Sequence, residues 1–449
     1  MTKVALLTLG CAKNQVDSEL MLGLISNNND FKLMQEAAEA DVVIVNTCGF
    51  IQDAKEESIE TILELAQLKN KGRLKGIIVT GCLTQRYKDI ILEEIPEVDV
   101  ILGTGTFGDI NEAIKTVLAG NRSSAVGTPA YDYRTNLPRI LSDSHFAYVK
   151  IAEGCSNHCS YCIIPKIRGP FYSRSIEDIK KEVDWLTEQG VKEIILIAQD
   201  LTRYGEDIYG KRSLPELIKT ILKNEDIQWL RLLYSYPETL PLEILDLMIE
   251  DERICRYLDI PIQHSSNKIR KLMNRRSSRE ELLDLIQRIR ERVPDVVLRT
   301  SLIVGFPGEE EDDFSDLLDF IKEIKFDRLG VFKYSREEGT AAAELEPQVP
   351  GEITEERYHR LMEIQQEIAY SNNQKYIGNI LEVIIDELND EYAIGRTRYD
   401  APEVDNIVYI PEPGNLNKGD IVSCKIIEAY EYDLIGETIN EKSETESGK

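Results

Sequence analysis

Through the first third of the chain, short apolar runs alternate with longer stretches in which apolar positions recur every three or four residues. The runs Lys3–Thr8, Asp41–Thr47, Gly76–Thr80 and Val98–Leu102 predict strands, and segments such as Asp53–Leu68 predict amphipathic helices between them. Parallel neighbours need a crossover and a helix supplies it, so this βαβα rhythm predicts an open, mostly parallel α/β sheet over residues 1–135. The rhythm then returns over 141–372, with strands near Ala147–Ala152, Glu193–Ala198, Trp229–Tyr234, Tyr257–Ile262, Val296–Val304 and Arg328–Tyr334. Most of these strands are followed by a helical pattern, as in Ser175–Gln189 and Ser278–Val293. Such a succession predicts a partial (β/α)6 barrel with its active site at the C-terminal ends of the strands. A polar, Pro-containing linker from about Gly127 to Ser144 separates the two parts, and a long charged helix over Glu352–Gln374 closes the second. Beyond Gly378 the texture changes to short alternating strands, Ile380–Ile385, Ile407–Ile410, Ile421–Ala429 and Leu434–Thr438, which predict a small antiparallel β-barrel over 375–440. The polar residues 441–449 read as a disordered tail.

A chain of 449 residues is too long for one ordinary core, in keeping with this division. No stretch approaches the roughly 18 uninterrupted apolar residues of a membrane span. Leu7-Thr8-Leu9-Gly10-Cys11 resembles a lipoprotein cleavage box, but only Lys3 precedes it and the apolar run is shorter than a secretory signal. A buried first strand and a cytoplasmic location are therefore expected. Eight cysteines scattered over so long a chain are not a disulfide framework, which leaves reduced thiols available to metals. The 53 basic and 80 acidic residues give a net charge of −27, far from the footprint of a protein that grips nucleic acid directly. An acidic surface suits a basic protein partner.

The strongest chemical signal is Gly154-Cys155-Ser156-Asn157-His158-Cys159-Ser160-Tyr161-Cys162, a C-x3-C-x2-C run directly after the first barrel strand. Three thiolates in one loop hold three irons of a 4Fe–4S cluster and leave the fourth open. Zinc is the alternative, but a closed structural site takes four ligands, and His158 between two cysteines is poorly placed to be one of them. The loop resembles the signature of the radical S-adenosylmethionine superfamily, including the aromatic Tyr161 before the third cysteine. That resemblance implies that the open iron chelates S-adenosylmethionine and that an electron from the cluster cleaves it to a 5′-deoxyadenosyl radical.

A second group is dispersed: Cys11 follows the first predicted strand, Cys48 the second and Cys82 the third. Ends of neighbouring parallel strands converge on one crevice, so three equivalent positions suggest a shared metal site, although any one of them could be a small buried hydrophobe. Thr8-Leu9-Gly10-Cys11-Ala12-Lys13-Asn14-Gln15-Val16-Asp17-Ser18-Glu19, Asn46-Thr47-Cys48-Gly49-Phe50 and Thr80-Gly81-Cys82-Leu83 look like the three cysteine blocks of the methylthiotransferase family. The likeness continues through Ile163-Ile164-Pro165-Lys166-Ile167-Arg168-Gly169 and covers nearly the whole chain. It implies a second 4Fe–4S cluster on Cys11, Cys48 and Cys82 that carries the transferred sulfur. It further implies one S-adenosylmethionine as methyl donor and another as radical source, and a terminal TRAM domain that holds the substrate. Candidates for the remainder of the S-adenosylmethionine pocket are polar residues at strand ends: Gln199 and Asp200, Ser235, Gln263 and His264, Arg299 and Ser301, and the turn Gly305-Phe306-Pro307-Gly308-Glu309. Each of these also has an ordinary structural use in a barrel. Cys255 and Cys424 lack thiol partners at useful spacing and read as packing residues.

Two branches of the family differ in substrate. Gly10-Cys11-Ala12-Lys13-Asn14 resembles the RimO-like branch, which modifies an aspartate of small-subunit ribosomal protein S-twelve, rather than the Gly-Cys-Gln-Met-Asn pattern of the MiaB-like branch, which modifies an adenosine in transfer RNA. The tail segment Asp400-Ala401-Pro402-Glu403-Val404-Asp405 points the same way. From Tyr376 onward 17 acidic residues face 6 basic ones, a balance repelled by RNA phosphates and attracted to a basic ribosomal protein on or near the small subunit. Tyr392, Tyr399 and Tyr409 could stack bases, but they are also standard strand residues. The mechanism implied has the radical formed near Cys155, Cys159 and Cys162 take hydrogen from the aspartate β-carbon, which then receives methylsulfide from the cluster on Cys11, Cys48 and Cys82. Both steps require exclusion of water. A non-catalytic iron–sulfur electron carrier would use the same cysteines but would complete its ligand shell with protein. The electron donor and sulfur source are not identified by any motif.

Overall fold

Six strands, β1 (Thr2–Thr8), β2 (Phe31–Leu33), β3 (Val42–Thr47), β4 (Gly76–Gly81), β5 (Val98–Leu102) and β6 (Ser123–Ala125), form one parallel sheet in the order β2-β1-β3-β4-β5-β6. The computed structural model describes residues 1–129 and 138–439; part of the expected linker and all of the expected tail 441–449 lie outside them. Helices cover both faces of the sheet, which is why β3 and β4 are buried at every position and read as unbroken apolar runs. The edge strands β2 and β6 have three residues each, too few to produce a recognisable alternation. The order reverses between β1 and β3, and ligands bind in the crevice at such a reversal.

The second part has the six expected strands, β7 (Phe146–Lys150), β10 (Glu193–Ile197), β11 (Trp229–Leu232), β12 (Tyr257–Asp259), β13 (Val297–Val304) and β14 (Arg328–Lys333), with a short hairpin of β8 (Ala152–Glu153) and β9 (Tyr172–Ser173) beside the cysteine loop. They make two parallel triplets, β11-β10-β7 and β12-β13-β14, joined by a bridge from Leu230 to Ile254 and by the hydrogen bond from Ser235 N to Asp259 O. Outward residues such as Val149, Leu196, Leu232 and Leu302 pack against helices Ile176–Glu188, Leu214–Ile221, Arg279–Arg292 and Glu311–Ile324. Ser175 and Ser278 cap the first and third of these helices through their side chains, as their sequences suggest.

An incomplete barrel leaves its inner face unclosed, and the two flanking parts cover it. Inward residues Phe146, Tyr148, Ile195, Ile197, Trp229, Tyr257 and Val297 pack with Val16 from helix Ala12–Ser26 and with Ile384 and Ala401 from the C-terminal part. That helix has no single apolar stripe because it is buried on several sides: Lys13, Asn14, Asp17, Ser18 and Glu19 are all buried. On the opposite flank Glu337 pairs with Lys55 at 2.9 Å and Arg86 at 2.5 Å, tying the first sheet to the loop after β14.

The C-terminal part is a closed barrel of β15 (Ile380–Leu388), β16 (Tyr392–Thr397), β17 (Ile407–Pro411), β18 (Ile421–Ala429) and β19 (Asp433–Thr438), ordered β15-β16-β17-β19-β18. The expectation of antiparallel pairing holds except between β17 and β19, which run parallel. A ring of five strands cannot alternate direction all the way round, so one parallel pair is a necessity of closure. Of the tyrosines weighed as base-stacking residues, Tyr392 and Tyr409 stack on each other at 5.0 Å, and Tyr399 stacks on Tyr376 at 6.0 Å. Cys255 and Cys424 are fully buried packing residues.

Candidate functional site

Each cysteine of the dispersed group stands where a parallel strand ends. Cys11 N-caps helix Ala12–Ser26, Cys48 follows β3, and Cys82 opens the short helix Cys82–Tyr87. The register Thr8↔Asn46 and Asn46↔Thr80 brings the three ends side by side, and each thiol lies in the electrostatic field of the others. Glycines permit the approach. A Cβ on Gly10 would lie 2.9 Å from Cys48 Cβ, one on Gly49 2.8 Å from the Leu83 backbone, and one on Gly81 2.5 Å from both Asn46 Oδ1 and Thr47 O. Gly81 has φ +101° and ψ −153°, a region that side chains other than glycine avoid. Gly81→Ala is therefore expected to cost at least on the order of 1–3 kcal/mol and to displace Cys82. Iron analysis after reconstitution should show a lowered metal content, and thermal melting a lowered Tm.

The barrel loop is held from several directions. Cys155 N donates to Gly169 O at 3.1 Å, Asn157 Nδ2 to Asp200 Oδ2 at 2.7 Å, Ser160 Oγ to Leu272 O at 2.7 Å, and Asn274 Nδ2 to His158 O at 2.9 Å. Tyr161 packs against the cluster of Ile269, Met273, Ile303 and Phe306, anchoring the loop on the barrel rim. His158 is exposed, with φ +54°. Burial pushes the Cys155 thiol up to about 11 and the Cys48 thiol up to about 12, and raises Cys82 and Cys162 as well. A bound cation is what would make such thiols ligands.

The two cysteine groups share a wall. In the segment after β11, the Tyr234 ring carries Lys13 Nζ 2.9 Å from its centroid, Ser235 follows, and Tyr236 OH lies 3.1 Å from Cys159 Sγ. A second connection runs through buried charges. Arg168 bonds Glu153 at 3.0 Å and Asn14 Oδ1 at 2.6 Å, and its Nη2 lies 3.6 Å from Cys82 Sγ, while Lys150 is paired with Asp17. Burial lowers Lys13 to about 8. None of these roles was assigned from sequence. The available signal was the presence of Lys150 and Glu153 in an otherwise apolar strand end.

The remaining predicted pocket residues divide. Gln199 donates Nε2 to Glu153 Oε1 at 3.1 Å while its Oε1 is buried without a partner among the described residues. Ser235 Oγ is likewise buried and unpartnered among them. Tyr234 (φ +66°) and Gln263 (φ +71°) hold the left-handed conformation that clusters at functional sites, and Gln263 is bridged to Leu302. Asp200 serves as the anchor for Asn157 and Thr202. His264 is fully buried, its Nε2 3.8 Å from Glu309, and burial lowers it to about 3. Glu309 in turn is clamped by Arg357 at 2.8 Å, and Gly305 abuts Thr354, so that turn is closed against helix Gly351–Asn373. Arg299 departs from the expected place: it is the third residue of β13, toward the strand's N-terminal end. There it is held by Asp259 at 2.9 Å and by Asp405 of the C-terminal part at 3.3 Å, so it joins domains rather than facing the strand ends.

Among the described residues no three His, Cys, Asp or Glu groups converge where a single metal ion would sit. Three thiols apiece are the donor set of a 4Fe–4S cluster with one iron left open, each cysteine on a different iron. The unpartnered Gln199 and Ser235 oxygens beside Cys155–Cys162 fit a polar ligand such as S-adenosylmethionine.

Comparisons with known proteins agree with this geometry. The Radical SAM superfamily matches residues 149–321, Uncharacterized protein family UPF0004 matches 3–103, and the TRAM domain matches 377–439. Among solved structures, the radical S-adenosylmethionine methyltransferase TsrM from Kitasatospora setae superposes with a TM-score of 0.54 at 14% identity, over 74% of this chain and 72% of that one. The cobalamin-dependent radical enzyme OxsB gives 0.53 at 14% identity, over 81% and 56%. These two share the fold. The protein named ribosomal protein uS12 methylthiotransferase RimO from Desulforamulus reducens is 52% identical over 97% of this chain and 99% of its own. Its namesake from Clostridioides difficile is 49% identical over 98% and 100%. The chain is a radical S-adenosylmethionine transferase and belongs to the RimO family of ribosomal protein methylthiotransferases.

Proposed function

We propose that the protein transfers a methylthio group to the β-carbon of an aspartate in ribosomal protein uS12. The observation that carries this is the junction of two three-cysteine groups through one wall, Tyr234–Tyr236, within a chain whose relatives bear that name. When bound, a 4Fe–4S cluster on Cys155, Cys159 and Cys162, a second on Cys11, Cys48 and Cys82, and S-adenosylmethionine supply the reducing electron, the radical, the sulfur relay and the methyl group.

The chain contributes position and dryness. Gln199 and Ser235 would present their otherwise unpartnered oxygens to S-adenosylmethionine, with Gln263 at the end of the next strand, while Tyr161 fixes the loop of Cys155, Cys159 and Cys162. The helix Ala12–Ser26 and the C-terminal barrel close the inner face and confine the reacting centres away from solvent-borne reductants and hydrogen donors. The excess of acidic residues from Tyr376 onward supports a basic protein as substrate and speeds its encounter. An unidentified reductant and sulfur donor complete the cycle.

The test is anaerobic reconstitution followed by turnover with S-adenosylmethionine, sulfide and reductant, offering recombinant uS12 and unmodified transfer RNA in parallel. A methylthio mass gain on the uS12 aspartate is the expected result. Gain on the RNA alone would transfer the protein to the other branch, and intact clusters with no gain and no S-adenosylmethionine cleavage would make it an electron carrier.

A further inference from the structure

We infer that Tyr236 is a positioning residue that acts through Cys159: its phenol donates a hydrogen bond to the Cys159 sulfur, Arg275 strengthens that bond, and together they ease reduction at the barrel cysteines. The inference deepens the function proposed above and rests on the reading that Cys155, Cys159 and Cys162 hold a 4Fe–4S cluster.

The phenol is mounted on a stiff piece of chain. Beyond β11, Tyr234 takes the left-handed conformation, φ +66°, and Pro237 opens a single 3-10 turn, Pro237–Thr239. Tyr236 stands directly before that turn, with its hydroxyl 3.1 Å from Cys159 Sγ. A free thiol can donate or accept at such a distance, but a sulfur that binds iron is a thiolate and has no proton to give. The phenol is then the donor, and the bond is charge-assisted. The Cys155 and Cys162 sulfurs have backbone donors, the N–H groups of Asn157 and Ile164, whereas the donor to Cys159 is a side chain that substitution can remove.

The same turn holds a cation against the ring. The Arg275 guanidinium lies 3.7 Å from the Tyr236 ring centroid, and its Nη2 donates to Glu238 Oε2 at 3.3 Å and to Pro261 O at 2.9 Å. Glu238 follows Tyr236 by two residues, so one turn carries the donor and anchors the cation stacked on it. A cation over a phenol ring draws density from it and makes the O–H a stronger donor. Glu238 does not cancel that charge, because it also pairs with Arg270 at 2.9 Å and so serves two guanidiniums with one carboxylate. The Cys159 sulfur lies in the field of Arg275 as well.

The direction of the effect follows from charge. Reduction adds one negative charge at the irons and their sulfurs, so a donor or a cation beside a sulfur stabilises the reduced form more than the oxidised one. Cleavage of S-adenosylmethionine consumes one electron from a low-potential reductant and breaks a C–S bond to give methionine and the 5′-deoxyadenosyl radical. Ease of reduction at Cys155, Cys159 and Cys162 therefore decides which reductants can serve.

The experiment uses the full-length protein, reconstituted anaerobically, as wild type, Y236F, R275Q and a form with 3-fluorotyrosine installed at position 236. Redox titration is followed by electron paramagnetic resonance, reading the reduced signal that changes when S-adenosylmethionine is added, which separates the barrel cysteines from Cys11, Cys48 and Cys82. Iron content is measured in parallel. At the wild-type midpoint the ratio of reduced to oxidised signal in Y236F is expected to fall roughly threefold to tenfold, part of the worth of one hydrogen bond to a charged group, with iron content unchanged. R275Q should move the ratio the same way, and 3-fluorotyrosine, a stronger donor of nearly the same size, should move it the opposite way. Equal midpoints for wild type and Y236F at full iron content overturn the inference. Should Y236F lose iron, the fluorinated form decides, and a midpoint that fluorination leaves unmoved overturns it too. An R275Q midpoint equal to that of wild type removes Arg275 from the device. If reconstituted wild type shows no signal that responds to S-adenosylmethionine, the cluster reading itself falls and this inference with it.

Discussion

Cys82→Ala is expected to abolish methylthio transfer while S-adenosylmethionine is still cleaved and roughly half of the iron is retained, since only one of the two three-cysteine sets is broken. The separation follows from the architecture. Cys82 follows β4 of the first sheet and meets the barrel part through packing with Ile163 and Ile167, whereas the loop of Cys155, Cys159 and Cys162 is held by its own hydrogen bonds to Gly169, Asp200, Leu272 and Asn274. Loss of the sulfur also leaves Arg168 its bonds to Asn14, Glu153 and Asp17, so the buried charges between the domains stay satisfied. Iron analysis, 5′-deoxyadenosine release and the mass of uS12 are the three readouts. A variant that retained methylthio transfer but lost cleavage would reverse the roles given to the two cysteine groups.

Both cysteine groups were legible in the sequence for different reasons. The barrel loop is local, and C-x3-C-x2-C announces itself. Cys11, Cys48 and Cys82 were visible only because a parallel sheet places strand ends together, and the order β1-β3-β4 makes them neighbours. What joins the groups was not legible. The contact of Lys13 with Tyr234 spans two domains, as does that of Arg168 with Cys82, and no periodicity encodes such a meeting. Arg299 shows the same limit from the other side. A polar residue on a barrel strand has an equal claim to the mouth and to the floor, and only tertiary partners, here Asp259 and Asp405, decide between them.

The segment Arg396–Asp405 changes meaning in the structure. Its sequence marks the likeness to the RimO-like branch, and in the structure its charges are spent on docking. Arg396 meets Glu193, Arg398 reaches the Glu252 carbonyl, Asp400 pairs with Arg328 at 2.7 Å, and Asp405 accepts from Tyr257 at 2.6 Å. The branch signature thus sets how the C-terminal barrel sits on the floor of the catalytic one.

Glu193 is where this seating is most vulnerable, and Glu193→Ala is expected to destabilise the protein by about 3–5 kcal/mol, the usual cost of orphaning a buried charge. The side chain is fully buried as the first residue of β10. It takes Arg231 Nε at 2.7 Å from within the barrel and Arg396 Nη1 at 2.5 Å from the C-terminal part. Truncation leaves the buried Arg231 guanidinium without its carboxylate and Arg396 with Asp386 alone, 3.1 Å from its Nε. Burial by itself would raise the Glu193 carboxyl, but Arg396 and Arg231 outweigh it and hold it below the ordinary range. A carboxyl depressed in the folded state stabilises at pH above its unfolded value of about 4.3 and loses that contribution as pH falls through the folded value. The difference in unfolding free energy between wild type and Glu193→Gln should accordingly be full near neutrality and shrink below about pH 4. Denaturant titrations at several pH values measure it, and limited proteolysis should release the C-terminal barrel from the alanine variant first. A difference that stayed constant down to acid pH would mean that Glu193 holds the two arginines by shape and hydrogen bonding rather than by charge.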